Sequence, residues 1–401
     1  MASPALSSSF TTPTPLRRNP NPLQWQKRLL RRRNIAPSMA SSDGPSPKPA
    51  KLVTFLGKGG SGKTTAAAIA AHYYAKSGLK TCLVVHSQDP TVECLMGCKF
   101  GSSPTQCSVN LSVVRLETTK LILEPLERIK RADSRLNLTQ GILEGVVGEE
   151  LGVLPGMDSI FSALAIEKWV RFLGSERSDS QREFDIIVYD GISTEETLRV
   201  LGAASRARWY LRYIREMADK TDIGRLTAPL ILKLGYESIR LNGASGDGKS
   251  SMEIWDDVER LLEKVSAAFT EPSRFNCYIL MDPNNKLSVR SALRYWGCAI
   301  QAGTQVSGAF GFAPQSSFVS AEVTEKLSPL AFALVPYLSS YSSVDWDATI
   351  GSLANDAEEI LNAKSKNFQP SVRFDPSKKS VTLLMPGFDK SEIKLYQVCP
   401  I

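Results

Sequence analysis

Residues 51–75 read KLVTFLGKGGSGKTTAAAIAAHYYA. The apolar run from Lys51 to Leu56 predicts a buried strand, and Ala66 to Ala75 has the composition of a helix. Between them Gly57, Gly62, Lys63 and Thr64 fill the pattern G-x-x-x-x-G-K-[ST], a phosphate-binding loop when a strand leads in and a helix leads out. Glycines at 57, 59, 60 and 62 let the main chain curl until its N–H groups face inward, at a helix N-terminus whose dipole favours an anion. The expected nucleotide-binding set is therefore Gly57, Lys58, Gly59, Gly60, Ser61, Gly62, Lys63, Thr64 and Thr65. Lys63 is expected to reach the β- and γ-phosphates of ATP, and the Thr64 hydroxyl to ligate Mg²⁺.

Further short β-rich runs follow at Lys80–His86, Val109–Leu116, Phe184–Tyr189, Asn276–Met281, Val306–Phe312 and Leu330–Val335. Separated by helical stretches, they predict an α/β fold: a doubly wound, mainly parallel sheet with its sites at the carboxyl ends of the strands. Two long segments, 120–173 and 199–265, exceed what a crossover needs and predict a helical subdomain. Their apolar positions recur at three- and four-residue spacing, which packs a core or lines a groove for a client helix. A second match to the loop pattern, GASGDGKS at Gly243–Ser250, lacks a buried strand before it and reads as a linker.

Two aspartates end predicted strands, Asp89 in HSQDPT and Asp190 in VYDGISTEETLRVL. A carboxylate just past a strand tip beside a phosphate loop can hold Mg²⁺ or position an attacking water.

The chain of 401 residues carries a net +7. Residues 1–50 hold eight Lys or Arg and one acid, Asp43, so all of that excess lies there; the other 40 basic and 40 acidic residues cancel. The body thus lacks the positive charge of a nucleic-acid binder. Rich in Ser, Thr, Pro and Arg, residues 1–50 have the composition of an organelle transit peptide, with SSSFTTPTP favouring the chloroplast stroma over the mitochondrion. No apolar run reaches about eighteen residues, so no membrane span is expected. Seven cysteines without framework spacing and without C-x-x-C fit a reduced compartment, and Cys94, Cys98 and Cys107 are close enough in sequence to consider a thiol-sensing or soft-metal site. With only two histidines, His72 and His86, histidine-based metal or triad chemistry is not expected.

The ordered motifs resemble the ArsA and guided-entry (Get-type) ATPase family, which includes arsenite-pump ATPases and targeting factors for tail-anchored membrane proteins. The resemblance covers roughly residues 51–365. It is carried by GKGGSGKTT, by Asp89-Pro90 as switch I, and by Asp190, Thr194, Glu196, Thr197, Leu198, Arg199 and Leu201 as switch II. LPGMD at Leu154–Asp158 and MDPNNKLSVRSALRYW from Met281 add to it. It marks the loop as the deviant Walker A type, in which Lys58 crosses a dimer interface to the partner's nucleotide. It implies that Asp89 activates the hydrolytic water, that Thr64, Asp89 and Asp190 surround Mg²⁺, and that Asp190 senses the γ-phosphate. It also implies a homodimer closing on ATP around a hydrophobic client, tail-anchored proteins among such clients. Zinc stapling is not expected because the family's C-x-x-C pair is missing. The asparagine expected near 306–312 is replaced by Gly311 or Phe312, and Gly191-Ile192-Ser193 stands where Thr-Ala-Pro is usual. Residues 371–401 resemble the start of a small heat-shock, α-crystallin-like sandwich, too short to close one. A MinD-like positioning ATPase is the alternative, although residues 390–401 are too short and polar for a membrane-binding tail. An iron–sulfur reductase would need cysteines near switch II, and none lies between Cys107 and Cys277.

Overall fold

Strand β1 (Lys51–Gly57) is buried along nearly its whole length, which is why it reads as a continuous apolar run instead of an alternating one. Its one inward hydroxyl, on Thr54, donates to the Tyr189 carbonyl at 3.0 Å, so the polar atom has a partner. The computed structural model describes residues 50–117, 156–170, 183–220, 251–314, 319–338, 344–362 and 371–393.

After β1 the elements run α1 (Lys63–Lys76), β2 (Thr81–Val85), α2 (Thr91–Met96), β3 (Thr105–Ser108), β4 (Leu111–Arg115), α3 (Met157–Val170), β5 (Ile186–Asp190), α4 (Thr194–Leu201) and α5 (Ala203–Lys220). They continue with α6 (Ser251–Ala268), β6 (Phe275–Met281), α7 (Lys286–Gln301), β7 (Gly308–Phe312), α8 (Ala321–Leu327), β8 (Phe332–Val335), α9 (Trp346–Gly351), α10 (Asn355–Asn362), β9 (Val372–Asp375) and β10 (Ser380–Leu383). Eight strands form one sheet in the order β3-β4-β2-β5-β1-β6-β7-β8, parallel throughout except for the β3–β4 pair. The fold is the expected doubly wound α/β architecture. In β1, Val53 and Phe55 face one buried cluster with α1, while Leu52 and Leu56 face a second with α3 and α7. Alanines 66, 67, 68, 70, 71 and 75 of α1 are buried; their small size lets the helix lie close on the sheet.

Because α1 crosses from β1 to β2 over β5, the carboxyl ends of β1, β5 and β2 lie side by side. Those ends carry the glycine loop, Asp190 and the segment leading to Asp89.

Several findings depart from the sequence expectations, among them strands β7 and β8, which start two residues later than expected, at Gly308 and Phe332. The strand expected at Val109–Leu116 starts at Leu111, because Val109 and Asn110 form a turn, with Val109 79% exposed and Asn110 at φ 60°. Strand β3 was not anticipated: its residues TQCS carry no apolar run, and an edge strand needs only one neighbour. Most important, Cys98 and Cys107 form a disulfide, so two cysteines read as free thiols are paired.

Of the expected helical subdomain, α3, α5 and α6 fall within the described residues; the remainder of 120–173 and 221–250, with GASGDGKS, lies outside them, as do residues 1–49. Helices α5 and α6 pair antiparallel through Arg208–Glu259 (3.2 Å) and Arg212–Glu259 (3.1 Å), over a small apolar cluster of Ile254, Trp255 and Val258. On the other side of α5, Trp209 and Tyr213, one turn apart, are 75% and 63% exposed. An apolar cavity of about 60 Å³ lies between the sheet and α3, α4, α5 and α6, bounded by Leu52, Ile160, Leu164, Leu201, Ala204 and Leu262.

At the C-terminal end β9 and β10 pair as a hairpin, and the segment after it packs on α7. Arg294 there lies 3.6 Å from the centroid of the Phe388 ring, donates to the Gly387 carbonyl at 3.1 Å and pairs with Glu392 at 2.8 Å. A β-carbon on Gly297 would come within 2.6 Å of the Phe388 ring, so glycine is what admits the contact.

Candidate functional site

The loop after β1 is built by backbone conformation. Gly60 and Gly62 adopt φ of 78° and 86°, a region that side chains disfavour, and Ser61 N–H donates to the Lys58 carbonyl at 2.9 Å to close the turn. A β-carbon on Gly62 would lie 2.7 Å from the Phe312 ring, so Phe312, one of the two residues near the place of the expected asparagine, packs against the loop's last glycine. Helix α1 starts at Lys63 with no side-chain cap, leaving its first N–H groups directed at the loop, which is where an anion binds. Lys58, Gly59 and Gly60 are exposed at the loop tip; Ser61, Lys63, Thr64 and Thr65 are half-buried.

Gly57 is the junction of the site. Its carbonyl accepts from the Lys63 ammonium at 3.1 Å and from the Thr194 hydroxyl at 2.6 Å, while its N–H donates to the same Thr194 oxygen at 2.9 Å. Thr194, 1% exposed, thereby ties the start of α4 to the base of the phosphate loop. Burial lowers the Lys63 pKa from its ordinary value, opposed by the carboxylates of Asp190 and Glu195.

Asp190 is 3% exposed at the end of β5. Burial pushes its pKa up to about 6, against the pull of a hydrogen bond with the Thr64 side chain and of the Lys63 charge, with Asp89 adding repulsion. Its Oδ2 atom is buried without a hydrogen-bond partner. A paired hydroxyl and carboxylate with one unsatisfied carboxylate oxygen is a hard-oxygen set, and Mg²⁺ fits it. Thr64 and Asp190 would hold the ion or its waters, with nucleotide phosphates completing the shell.

Asp89 is placed differently. It is exposed, accepts from the Thr91 N–H at 2.7 Å and from the Thr91 hydroxyl, and these bonds hold its carboxyl below the usual range. It caps the approach to α2 and is near enough to Asp190 to repel its charge.

The segment after β5, expected as switch II, is ordered by bonds the motif did not announce. Ser193 caps α4, accepting from Glu196 N–H at 3.1 Å, while Thr197 Oγ1 donates to the Ser193 carbonyl at 2.8 Å. A β-carbon on Gly191 would collide with the Thr197 hydroxyl, which gives Gly191-Ile192-Ser193 a local reason. Arg199 is exposed and pairs with Glu196 at 3.6 Å. Glu196 also accepts from Ser159 of α3 at 3.1 Å, and Glu195 accepts from Tyr295 of α7 at 2.8 Å. Ser159 and Tyr295 sit in or beside the quoted landmarks LPGMD and MDPNNKLSVRSALRYW; their polar types within amphipathic helices were the available signal. His86, just past β2, is buried with Nδ1 2.8 Å from the Tyr189 hydroxyl, and burial lowers its pKa.

The family model described as anion-transporting ATPase, ArsA, matches residues 50–302. A protein of Prosthecochloris vibrioformis named as an arsenical pump-driving ATPase is 26% identical over 249 residues, 61% of this chain and 56% of that protein. ATPase GET3 of Mycosarcoma maydis is 26% identical over 232 residues, covering 57% and 61%, and ATPase ARSA2 of Chlamydomonas reinhardtii 27% over 236 residues, covering 56% and 57%. The chain thus spans somewhat more than half the length of these curated relatives. The matched residues run from the entry of β1 to the end of α7 and take in the glycine loop, Asp89 and both sides of the Thr194 clamp, so the chain belongs to the ArsA ATPase family.

Proposed function

We propose that the chain is a Mg²⁺-dependent ATP hydrolase that acts as a homodimer to capture or deliver hydrophobic clients, tail-anchored membrane proteins among them, in the chloroplast stroma. The observation that carries hydrolysis is the convergence of Lys63, Thr64 and Asp190 on one loop whose Gly57 is clamped by Thr194. Bound Mg²⁺ would neutralise charge developing on the phosphates. Lys63, freed from the Gly57 carbonyl, would bind the β- and γ-phosphates, and Asp89, released from Thr91, would orient the attacking water. Movement of Asp190 or Thr194 on phosphate release would pass to α3 through Glu196–Ser159 and to α7 through Glu195–Tyr295.

The client reading is supported by the apolar cavity under α3, α5 and α6 and by exposed Trp209 and Tyr213 on α5. The names of the relatives, ATPase GET3 and arsenical pump-driving ATPase, agree with an ATPase, and the second names one that drives a pump. Lys58, exposed at the loop tip, is available to a partner's nucleotide. The arrangement proposed is a transit segment at 1–50, the ATPase domain at 51–365 and a partial α-crystallin-like segment at 371–401; the stromal address rests on the composition of the first, with the mitochondrion as the alternative.

ATP turnover and oligomeric state of a chain starting near residue 50, beside Asp89→Asn, test this reading. The wild type is expected to hydrolyse ATP as a dimer, and the variant to bind nucleotide without turnover. If neither binds nucleotide, the reading falls.

A further inference from the structure

The disulfide between Cys98 and Cys107 lies on the segment that anchors switch I. Asp89-Pro90 leads straight into α2, a helix of six residues that is too short to be stable by itself. Its attachments are therefore what hold switch I. Val92 and Met96 are buried, Trp346 Nε1 donates to the Leu95 carbonyl at 3.2 Å, and Glu93 pairs at 2.9 Å with Arg115 of β4. The helix ends at Gly97 in the left-handed region (φ 64°), and Cys98 follows at once. From there the chain loops to β3, and the bond to Cys107 closes that loop with Cα atoms 6.0 Å apart.

Strand β3 is poorly held otherwise. It is an edge strand of four residues paired only with β4, and its register breaks between Gln106 and Ser108, at Cys107 itself. Where the ladder is interrupted, the covalent bond supplies the tie. Both cysteines are half-buried, Cys98 just past α2 and Cys107 on the edge strand, within reach of a small or protein dithiol, whereas Cys82 and Cys277 are fully buried in strands.

We propose that Cys98–Cys107 is a thiol–disulfide exchange site for a dithiol reductant, and that its oxidised form holds α2 and switch I in place. A reductant thiolate attacks one sulfur of the pair, breaking the protein S–S bond and forming a mixed disulfide. The second reductant thiol then displaces the protein sulfur. The reductant leaves as its own disulfide, two electrons pass to the protein, and Cys98 and Cys107 become thiols on taking up two protons. Reduction leaves β3 on its broken ladder and α2 on its non-covalent contacts, so Asp89 loses a fixed position. The effect on turnover rests on the ATP-hydrolase reading above; the exchange site does not.

The test uses the full chain. Alkylation with iodoacetamide before and after dithiothreitol, read by peptide mass spectrometry, is expected to label exposed Cys94 in both states and Cys98 and Cys107 only after reduction. Amide exchange in residues 86–97 is expected to rise on reduction, and ATP turnover to fall roughly fivefold or more, the lower end of ordinary coupling between sites. Reoxidation is expected to restore both. The double variant Cys98→Ser, Cys107→Ser should show the reduced-state values and ignore dithiothreitol. Full labelling of Cys98 and Cys107 without reductant would overturn the proposal, as would unchanged amide exchange at 86–97 between the two states. Redox-dependent exchange in a protein that hydrolyses no ATP in either state would uphold the site and sink the hydrolase reading instead.

Discussion

Asp190 concentrates the electrostatics of the site in one side chain. A carboxyl held near 6 binds a proton more tightly in the folded chain than in the unfolded one, where its value is 3.8. Its contribution to stability is therefore fully present below about pH 4 and is lost as pH rises through about 6. Asp190→Asn keeps the shape and the Thr64 contact but cannot ionise. Without nucleotide or Mg²⁺, the variant should melt higher than wild type at pH 7.5 by an amount on the order of 2–3 kcal/mol, and the gap should close by pH 4; thermal melts across that range check it. A gap independent of pH would mean that Asp190 is ionised at no such cost. The residue was legible as a carboxylate at a strand tip. Its elevated pKa was not, because burial between β1 and β2 is a property of strand order and not of the neighbouring letters.

Among elements, the join between the phosphate loop and α4 rests on one side chain. Thr194 gives and takes a hydrogen bond at Gly57, both inside the protein, so Thr194→Val leaves a buried N–H and a carbonyl short of a partner. The expected cost is about 1–3 kcal/mol in urea unfolding, together with weaker nucleotide binding. Stability loss without any change in nucleotide affinity would confine Thr194 to a structural role. Strands β1, β5 and β6 were readable because central parallel strands must be apolar on both faces. The edge strand β3 was not, since its pairing is decided by the hairpin turn at Val109-Asn110 and by β4, and its four polar-leaning residues carry no period.

At the scale of the molecule, one sheet brings together the glycine loop, the Asp89 segment and Asp190, the last of them about a hundred residues or more beyond the other two in sequence, and α7 carries the C-terminal segment on one side and Glu195 on another. Arg294→Ala removes the stacking on Phe388, the bond to the Gly387 carbonyl and the pair with Glu392. It should raise amide exchange in residues 385–393 while leaving β6 and β7 protected; unchanged exchange there would show that Gly297 packing alone seats the segment. Among the described residues no helix is long and apolar enough to cross a membrane. The sequence by itself determined the phosphate loop, the parallel α/β class and the two aspartates, because glycine placement, apolar runs and strand-tip carboxylates are local patterns with local causes. Tertiary structure alone decided that Thr194 clamps Gly57, that Ser159 and Tyr295 hold Glu196 and Glu195, and that Cys98 meets Cys107. Each of those contacts joins segments whose distance in space is set by strand order and packing, which no local pattern encodes.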